Sequence, residues 1–501
     1  MFQFELPERF RRYVPLAVWV IVALVILAIP LKIIGYGYLP GDDALRHCAK
    51  AVSGKPWTDI LVFGKTFKID QSIGWHGILG AVHHATNWDA EGLVVFSVVA
   101  LFLLVNAAPL RWLQRPEAWL VALLAAMIVS DLPQRMLLGR PFNVTIAVLM
   151  IILLATRKNK PELKYFLSFA GLIAACTFIH GVWYLWLLPV AAFVFAGEFR
   201  WARLVAGAWL AGTVLSALLT GHPVDYLAHA LMMAVNGVGQ HTTNSTQVVE
   251  LQPFAGDILA VLIVGALVAL RWLVKPDAVP FARNPAFWLV CGCWILGFRV
   301  SRFWEDWGWP ALMVLIVTEV EFLLLARFAF DSSRRLLVTV ILALATFLAV
   351  TSDLNGRYTK NLTWQFLSVA EHPELEGWMP EPDGVLYSVD MGIFYQTFYK
   401  NPTADWRYIL GYEPALMPAE DFAIFHGILW NNGDAKAYAP WVDKMKPADR
   451  LVIRGNGNEH PNLPKLEWNY GVSGIWIGRT PRPAPTNAPS APPLFMLPLS
   501  R

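Results

Sequence analysis

"VPLAVWVIVALVILAIPLKIIGYGYLPGDDALR", residues 14–46, decides how the rest of the chain is read. From Val14 to Ile34 the only charge is Lys32, and the run is long enough to cross the hydrocarbon of a bilayer as one helix. Two adjacent carboxylates, Asp42 and Asp43, follow at its exit. The upstream "MFQFELPERFRRY" could open a signal peptide, but no small-residue cleavage site follows the apolar stretch, so it reads as the flank of a retained first helix.

Similar apolar runs recur over the first 350 residues or so, and the 501-residue chain is 56% hydrophobic and only 15% charged. That composition predicts a polytopic α-helical membrane protein. A formal charge of +3 without a basic, aromatic-interleaved stripe excludes a nucleic-acid partner. Of the four cysteines, Cys176, Cys291 and Cys293 fall inside apolar runs and Cys48 outside them, with no metal-ligand spacing to histidine, so neither disulfides nor zinc are expected.

The runs lie near 14–34, 92–110, 117–130, 144–156, 165–180, 183–197, 204–220, 257–273, 286–299, 309–327 and 335–352. Read as roughly eleven spans, they alternate so that "ERFRR", "RWLQRPE", "TRKNKPELK", "EFRWAR", "RWLVKPDAVPFAR" and "ARFAFDSSRR" share one side, which the positive-inside rule makes cytoplasmic. The expected topology is an inner (plasma) membrane protein with a cytoplasmic N-terminus and an extracytoplasmic C-terminal region. The first outer loop, 36–91, reads as two interfacial amphipathic helices, "DDALRHCAKAVSG" and "SIGWHGILGAVHHATN". After residue 353 hydropathy falls and strand-like runs appear at 384–389, 406–410, 450–454 and 474–478, with helical stretches near 391–400 and 417–429. Residues 1–353 are thus expected as the membrane domain, 354–480 as a small extracytoplasmic α/β domain and 481–501 as a Pro-rich tail.

Asp42 or Asp43 before Ala44-Leu45 also fits a helix N-cap. With the span before it and the interfacial helix after it, however, "GDDALRH" resembles the acidic motif of the GT-C superfamily of membrane glycosyltransferases. The layout of residues 1–353 and the first outer loop are similar to that family as well. The resemblance implies a polyprenyl-phosphate-linked sugar as donor and a glycan or lipid hydroxyl as acceptor, with inversion at the anomeric carbon. In the family pattern the first acid is the general base, here Asp42, with Asp43 in support. Two neighbouring carboxylates repel when both are ionised, and Arg46 or a bound divalent cation, magnesium or manganese, would relieve that repulsion.

Phosphate chemistry asks for guanidinium groups, which grip phosphate through two parallel hydrogen bonds. The outer-side candidates are Arg135 and Arg140 in "QRMLLGRPFN", His180 in "FIHGVW", and Arg299 and Arg302 in "FRVSRFWEDWGW", although arginines at helix ends also snorkel to headgroups. Glu305 and Asp306 are candidates to orient Arg302 or hold the acceptor, and Trp304, Trp307 and Trp309 are the best stacking surfaces for a sugar. For a metal, Asp43 and His222 are the candidates, with His229, His241 and Asp225 in the same later loop as His222, but no tight spacing joins them. Two alternatives stay open: a polyprenyl-lipid transporter, disfavoured by span centres nearly free of ionisable residues, and an envelope-glycan polymerase or ligase. A purely structural scaffold is a third.

Overall fold

A computed structural model describes residues 7–64, 69–129, 132–239, 252–274, 281–455, 460–472 and 474–481. The candidate His241 and nearly all of the Pro-rich tail lie outside these residues. After a short helical turn, α1 (Glu8–Arg11), the first span α2 (Val14–Ile34) begins with Pro15 in its first turn, where a missing N–H costs nothing. Its buried residues, Val18, Val22, Ile26, Ile29 and Ile33, lie opposite the exposed Leu16, Val20, Leu24, Leu27 and Leu31. A helix apolar on both its packed and its exposed face belongs in lipid.

The remaining helices of this region are α3 (Asp43–Ser53), α4 (Ile73–Thr86), α5 (Ala90–Ala107), α6 (Glu117–Val129), α7 (Leu132–Met136), α8 (Phe142–Thr156), α9 (Leu163–His180), α10 (Leu187–Phe195), α11 (Phe199–Leu219), α12 (Pro223–Gly239), α13 (Ile258–Val274), α14 (Pro285–Gly297), α15 (Ser301–Phe303), α16 (Trp309–Arg327) and α17 (Ser333–Thr351). Among the described residues six helices are long and apolar enough to cross a bilayer: Val14–Ile34, Ala90–Trp112, Leu163–His180, Phe199–Leu219, Ser301–Arg327 and Ser333–Thr351. Five more apolar helices of 10–17 residues accompany them. The chain is a multi-pass membrane protein. Helix α8 is buried along its whole length and forms the centre of the bundle. The two helices expected in the first loop are present as α3 and α4.

Charge is confined to the bundle ends. At the end of α8 marked by Arg157, Arg335 grips Glu117 through Nε at 2.6 Å and Nη2 at 2.9 Å, both side chains being 1% exposed. Glu321 accepts from the backbone N–H of Gln114 and pairs with Arg157 and Lys158, while Arg271 pairs with Glu319 at 2.5 Å. Loops that the alternation of spans assigns to one side are therefore tied together there by ions. The other end of α8, marked by Arg140, carries the candidate site.

The chain divides into two compact units that do not follow the linear order expected from the sequence. One comprises 1–58, 65–366 and 391–404; the other comprises 59–64, 367–390 and 405–501. Helix α18 (Met391–Lys400), expected in the soluble domain, thus clusters with the helical unit and packs on α3. The second unit has a five-stranded sheet in the order β2-β1-β3-β5-β4, built from β1 (Val385–Tyr387), β2 (Arg407–Tyr408), β3 (Arg450–Arg454), β4 (Glu467–Tyr470) and β5 (Ile475–Arg479). Strand β1 runs parallel to both β2 and β3, and Leu61 adds a parallel bridge to Tyr408. The hairpin-like β4 and β5 complete the sheet antiparallel. Helices α19 (Ala419–Trp430) and α20 (Ala439–Lys444) belong to this unit, joined where Lys444 and the Trp441 indole both donate to Asp421.

The ion pair of α6 and α17 gives a direct test of the bundle. Glu117→Gln leaves Arg335 buried without its charge partner, and the expected loss is about 3–5 kcal/mol. Thermal unfolding in detergent micelles should show it, and wild-type stability would place the pair outside the folding core.

Candidate active site

The N-terminus of α3 is where the paired acids sit. Asp42 is its N-cap, extended in backbone, with Oδ1 3.5 Å from the Ala44 N–H, too long for a strong capping bond. Its other oxygen, Oδ2, accepts from Arg140 Nη2 at 2.7 Å. Arg140 reaches it because the chain between α7 and α8 presses on α3 at Gly139. There φ is +67°, and a Cβ would come within 3.3 Å of Ala44, Ser97 and Val98.

Asp43 is held differently. Its Oδ1 accepts from Arg46 Nε at 2.7 Å, one turn along the same helix, and the Tyr395 hydroxyl of α18 donates to it as well. Burial alone would raise the Asp43 carboxyl, but Arg46, Arg140 and these hydrogen bonds outweigh it and hold the group well below the usual carboxylate range. A carboxylate so firmly ionised is a weak proton acceptor. Tyr38 lies beside Asp42, its phenol pushed well above its ordinary value by burial and then by the Asp42 charge.

A second cluster starts five residues before Arg140 in the same connection. Arg135 meets Glu305 through Nη1 at 2.7 Å and Asp306 through Nη2 at 2.5 Å and Nε at 3.0 Å, with its guanidinium 4.7 Å above the Phe142 ring. Arg302 Nε lies 3.5 Å from the other Asp306 oxygen. A single π-helical turn over Trp304–Gly308 places the two acids, the kind of local widening often found at functional sites. Beside this cluster opens a cavity lined by Phe142, Thr145, His180, Arg302, Asp306 and Trp307, with Val182, Tyr184 and Leu185. His180 ends α9, and its Nδ1 is 3.0 Å from the Thr145 hydroxyl.

The structure therefore gathers Asp42 with Arg140, Asp43 with Arg46, and Arg135, Arg302, Glu305, Asp306, His180 and Trp307 around or next to one cavity. None of these contacts involves Arg299, which precedes α15. Trp304 is 3% exposed, stacked on Phe254 at 5.9 Å and against Trp309 at 5.5 Å, and is not among the residues lining the cavity. Trp307 is 1% exposed and packs edge-on to Trp186, so it contributes a wall, not an open stacking face. His222 is exposed, at the turn before α12. Among the described residues no three His, Cys, Asp or Glu side chains converge as metal ligands. With Asp42 turned to Arg140 and Asp43 to Arg46, the acids as arranged do not fit a divalent cation.

Tyr395 and Thr145 are site residues that the sequence reading missed. Tyr395 is carried by a helix lying within the stretch assigned to the soluble domain, and nothing near it in the sequence marks it as a partner of Asp43. Thr145 falls inside an apolar run, where a hydroxyl usually satisfies its own helix.

No family profile matches the chain, and no curated protein matches it in sequence. Among solved structures, it is similar to the apo form of the Archaeoglobus fulgidus oligosaccharyltransferase, at 14% sequence identity and a TM-score of 0.51. The match covers 89% of this chain and 70% of that one. The likeness is one of fold, in keeping with the expected run of spans, at an identity too low to carry a family or residue roles across.

Tyr395→Phe isolates the bond to Asp43. A hydrogen bond to a charged group contributes about 1.5–3 kcal/mol, so the variant should unfold at a lower temperature by a margin of that order while remaining folded. An unchanged midpoint would detach α18 from the site.

Proposed function

We propose that the protein is an integral membrane glycosyltransferase that moves a sugar from a polyprenyl-phosphate donor to the hydroxyl of an envelope glycan or lipid, with inversion. The observation that carries this reading is the pairing of Asp42 with Arg140 at 2.7 Å, on a fold that is similar to that of an oligosaccharyltransferase and that also holds a cavity flanked by Arg302 and His180. A glycosyl phosphate breaks most readily when its departing oxygens are held by cations while a base takes the acceptor's proton.

In the reaction the acceptor oxygen attacks the anomeric carbon from the face opposite the phosphate. The bond from that carbon to the phosphate oxygen breaks, its electrons remain on the phosphate, and the hydroxyl proton passes to Asp42. Arg302 and His180 stabilise the charge growing on the leaving group, and Arg135 is oriented for the same task by Glu305 and Asp306. Arg140 has a double part. In the absence of substrate it neutralises Asp42, and a donor phosphate offers it a better partner, which leaves Asp42 free to accept a proton. Asp43, held ionised by Arg46 and Tyr395, supplies a fixed negative charge beside the base.

Asp42→Asn should fold and bind donor, yet lower transfer from a polyprenyl-phosphate sugar by about 10²–10⁴-fold, the usual contribution of a general base. Arg302→Lys keeps the charge and loses the two-pronged grip, and should slow turnover as well. Near-normal transfer by Asp42→Asn with a donor the wild type uses would remove the base from this residue.

The same reading extends to topology: roughly eleven crossings of a bacterial inner membrane, the N-terminus cytoplasmic and the sheet-containing unit outside. Lys465 is exposed on that unit, so Lys465→Cys should react with a membrane-impermeant maleimide in spheroplasts with intact membranes. Labelling seen solely after lysis would reverse the orientation.

A further inference from the structure

The segment that joins α3 to α4 holds a second hydrogen-bonded chain of titratable groups, separate from the acid–arginine clusters. Asp70 accepts from the Ser72 backbone N–H at 2.9 Å and from the Trp57 indole N–H at 3.1 Å. Its Oδ2 lies 2.5 Å from His76 Nδ1, and His76 Nε2 lies 2.7 Å from His47 Nδ1. His47 is 1% exposed and stands on α3 one turn after Asp43, whereas His76 stands on α4. Burial would raise the Asp70 carboxyl, but His76, Ser72 and Trp57 hold it well below the usual range, so it acts as an acceptor and His76 Nδ1 carries a proton. Between the two rings there is place for one proton only, because one nitrogen must donate and the other accept.

We propose that Asp70, His76 and His47 form a proton-sensitive latch that fixes α3, and with it Asp42, Asp43 and Arg46, against α4. The latch holds while the two imidazoles share no more than one positive charge. When both are charged, two N–H groups face each other across the gap and the bond is lost.

The surroundings decide which ring resists the second charge. His76 has the Asp70 carboxylate behind it. His47 has Arg46 and Lys50 on its own helix and Arg140 from the α7–α8 connection, with Asp43 one turn back already paired to Arg46. The groups that α5 and α18 bring to α3 are uncharged: the Ser97 hydroxyl on Cys48, and the Tyr395 phenol, which burial keeps protonated. Burial first, and then Arg46 and the His76 ring, keep the His47 imidazole well below its ordinary value. The sign follows: a histidine that is neutral when latched contributes stability that is complete above about pH 6.5 and is lost as pH falls below it, by up to tenfold in the equilibrium per pH unit.

The test needs no sugar donor, so its outcome is independent of the transferase reading. Unfolding of the full chain in detergent micelles is followed from pH 8 to pH 5 for wild type, His47→Gln and His47→Phe. A glutamine amide can donate to neutral His76 or accept from charged His76, so His47→Gln keeps the bond at both ends of the range and cannot take the second charge. At pH 8 His47→Gln should match wild type and His47→Phe should be less stable than either. Below pH 6.5 wild type should fall relative to His47→Gln, by up to tenfold in the unfolding equilibrium for each pH unit. Parallel curves for wild type and His47→Gln, or a His47→Phe as stable as wild type at pH 8, would overturn the latch. Should His47→Gln not fold, hydrogen exchange of the 43–53 peptide in wild type decides. After correction for intrinsic rates, protection that drops below pH 6.5 supports the latch, and protection independent of pH refutes it.

Discussion

A bilayer interior offers no water to a charge, and that single constraint orders this molecule. Each ionisable side chain near the spans has to be paired or carried to an end of the bundle. One end of α8 answers with a dense set of ions, Glu117 with Arg335 and Glu321 with Arg157 and Lys158, that bind neighbouring helices together. The other end answers with Asp42, Asp43, Glu305 and Asp306 set against Arg46, Arg135, Arg140 and Arg302. Both ends use the same chemistry. Each end mixes sealed and open groups: Glu117 and Arg335 are 1% exposed beside Lys158 at 39%, and Asp306 is 8% exposed beside Arg302 at 36%.

That second set is balanced, four acids to four arginines, and the balance has a consequence for any anionic substrate. An arginine cluster without counter-charges would bind diphosphates and lipid headgroups indiscriminately. Here each guanidinium already has a carboxylate, so a phosphate gains by exchange instead of by simple attraction. Such an exchange is hardest where Arg135 is gripped by two acids at once.

The sequence disclosed the parts of the fold that follow from hydropathy alone. Apolar runs such as 14–34 and 335–352 became helices nearly residue for residue, and α3 and α4 appeared where amphipathic stretches flank "KPWTDILVFGKTFKID". Asp42, Asp43, Arg135, Arg140 and Arg302 were legible because a charged residue at a span exit has few reasons to be there. Trp304 was not. An aromatic at a helix end reads alike whether its ring meets lipid, sugar or a core, and only its stacking on Phe254 tells them apart. Strand β4, "EWNY", escaped notice because a short, half-exposed edge strand has too little apolar alternation to stand out. The His47–His76 contact was invisible for a different reason: each histidine sits in its own helix, and nothing local says that their rings will meet.

The two adjacent aspartates can now be given different physical roles without appeal to any relative. Asp43 is bound along its own helix by Arg46 and from α18 by Tyr395, interactions that favour the ionised form and would be lost on protonation. A group stabilised in that way resists taking a proton and serves as a permanent charge. Asp42 accepts from Arg140 at 2.7 Å, and its capping bond to Ala44 is stretched to 3.5 Å. The guanidinium beside it is one that a phosphate can attract. Were that guanidinium to turn to a phosphate, the fixed negative charge of Asp43 would raise the affinity of Asp42 for a proton. In the proposed reaction, Asp43 is the fixed charge that would make Asp42 a base once a donor draws Arg140 away.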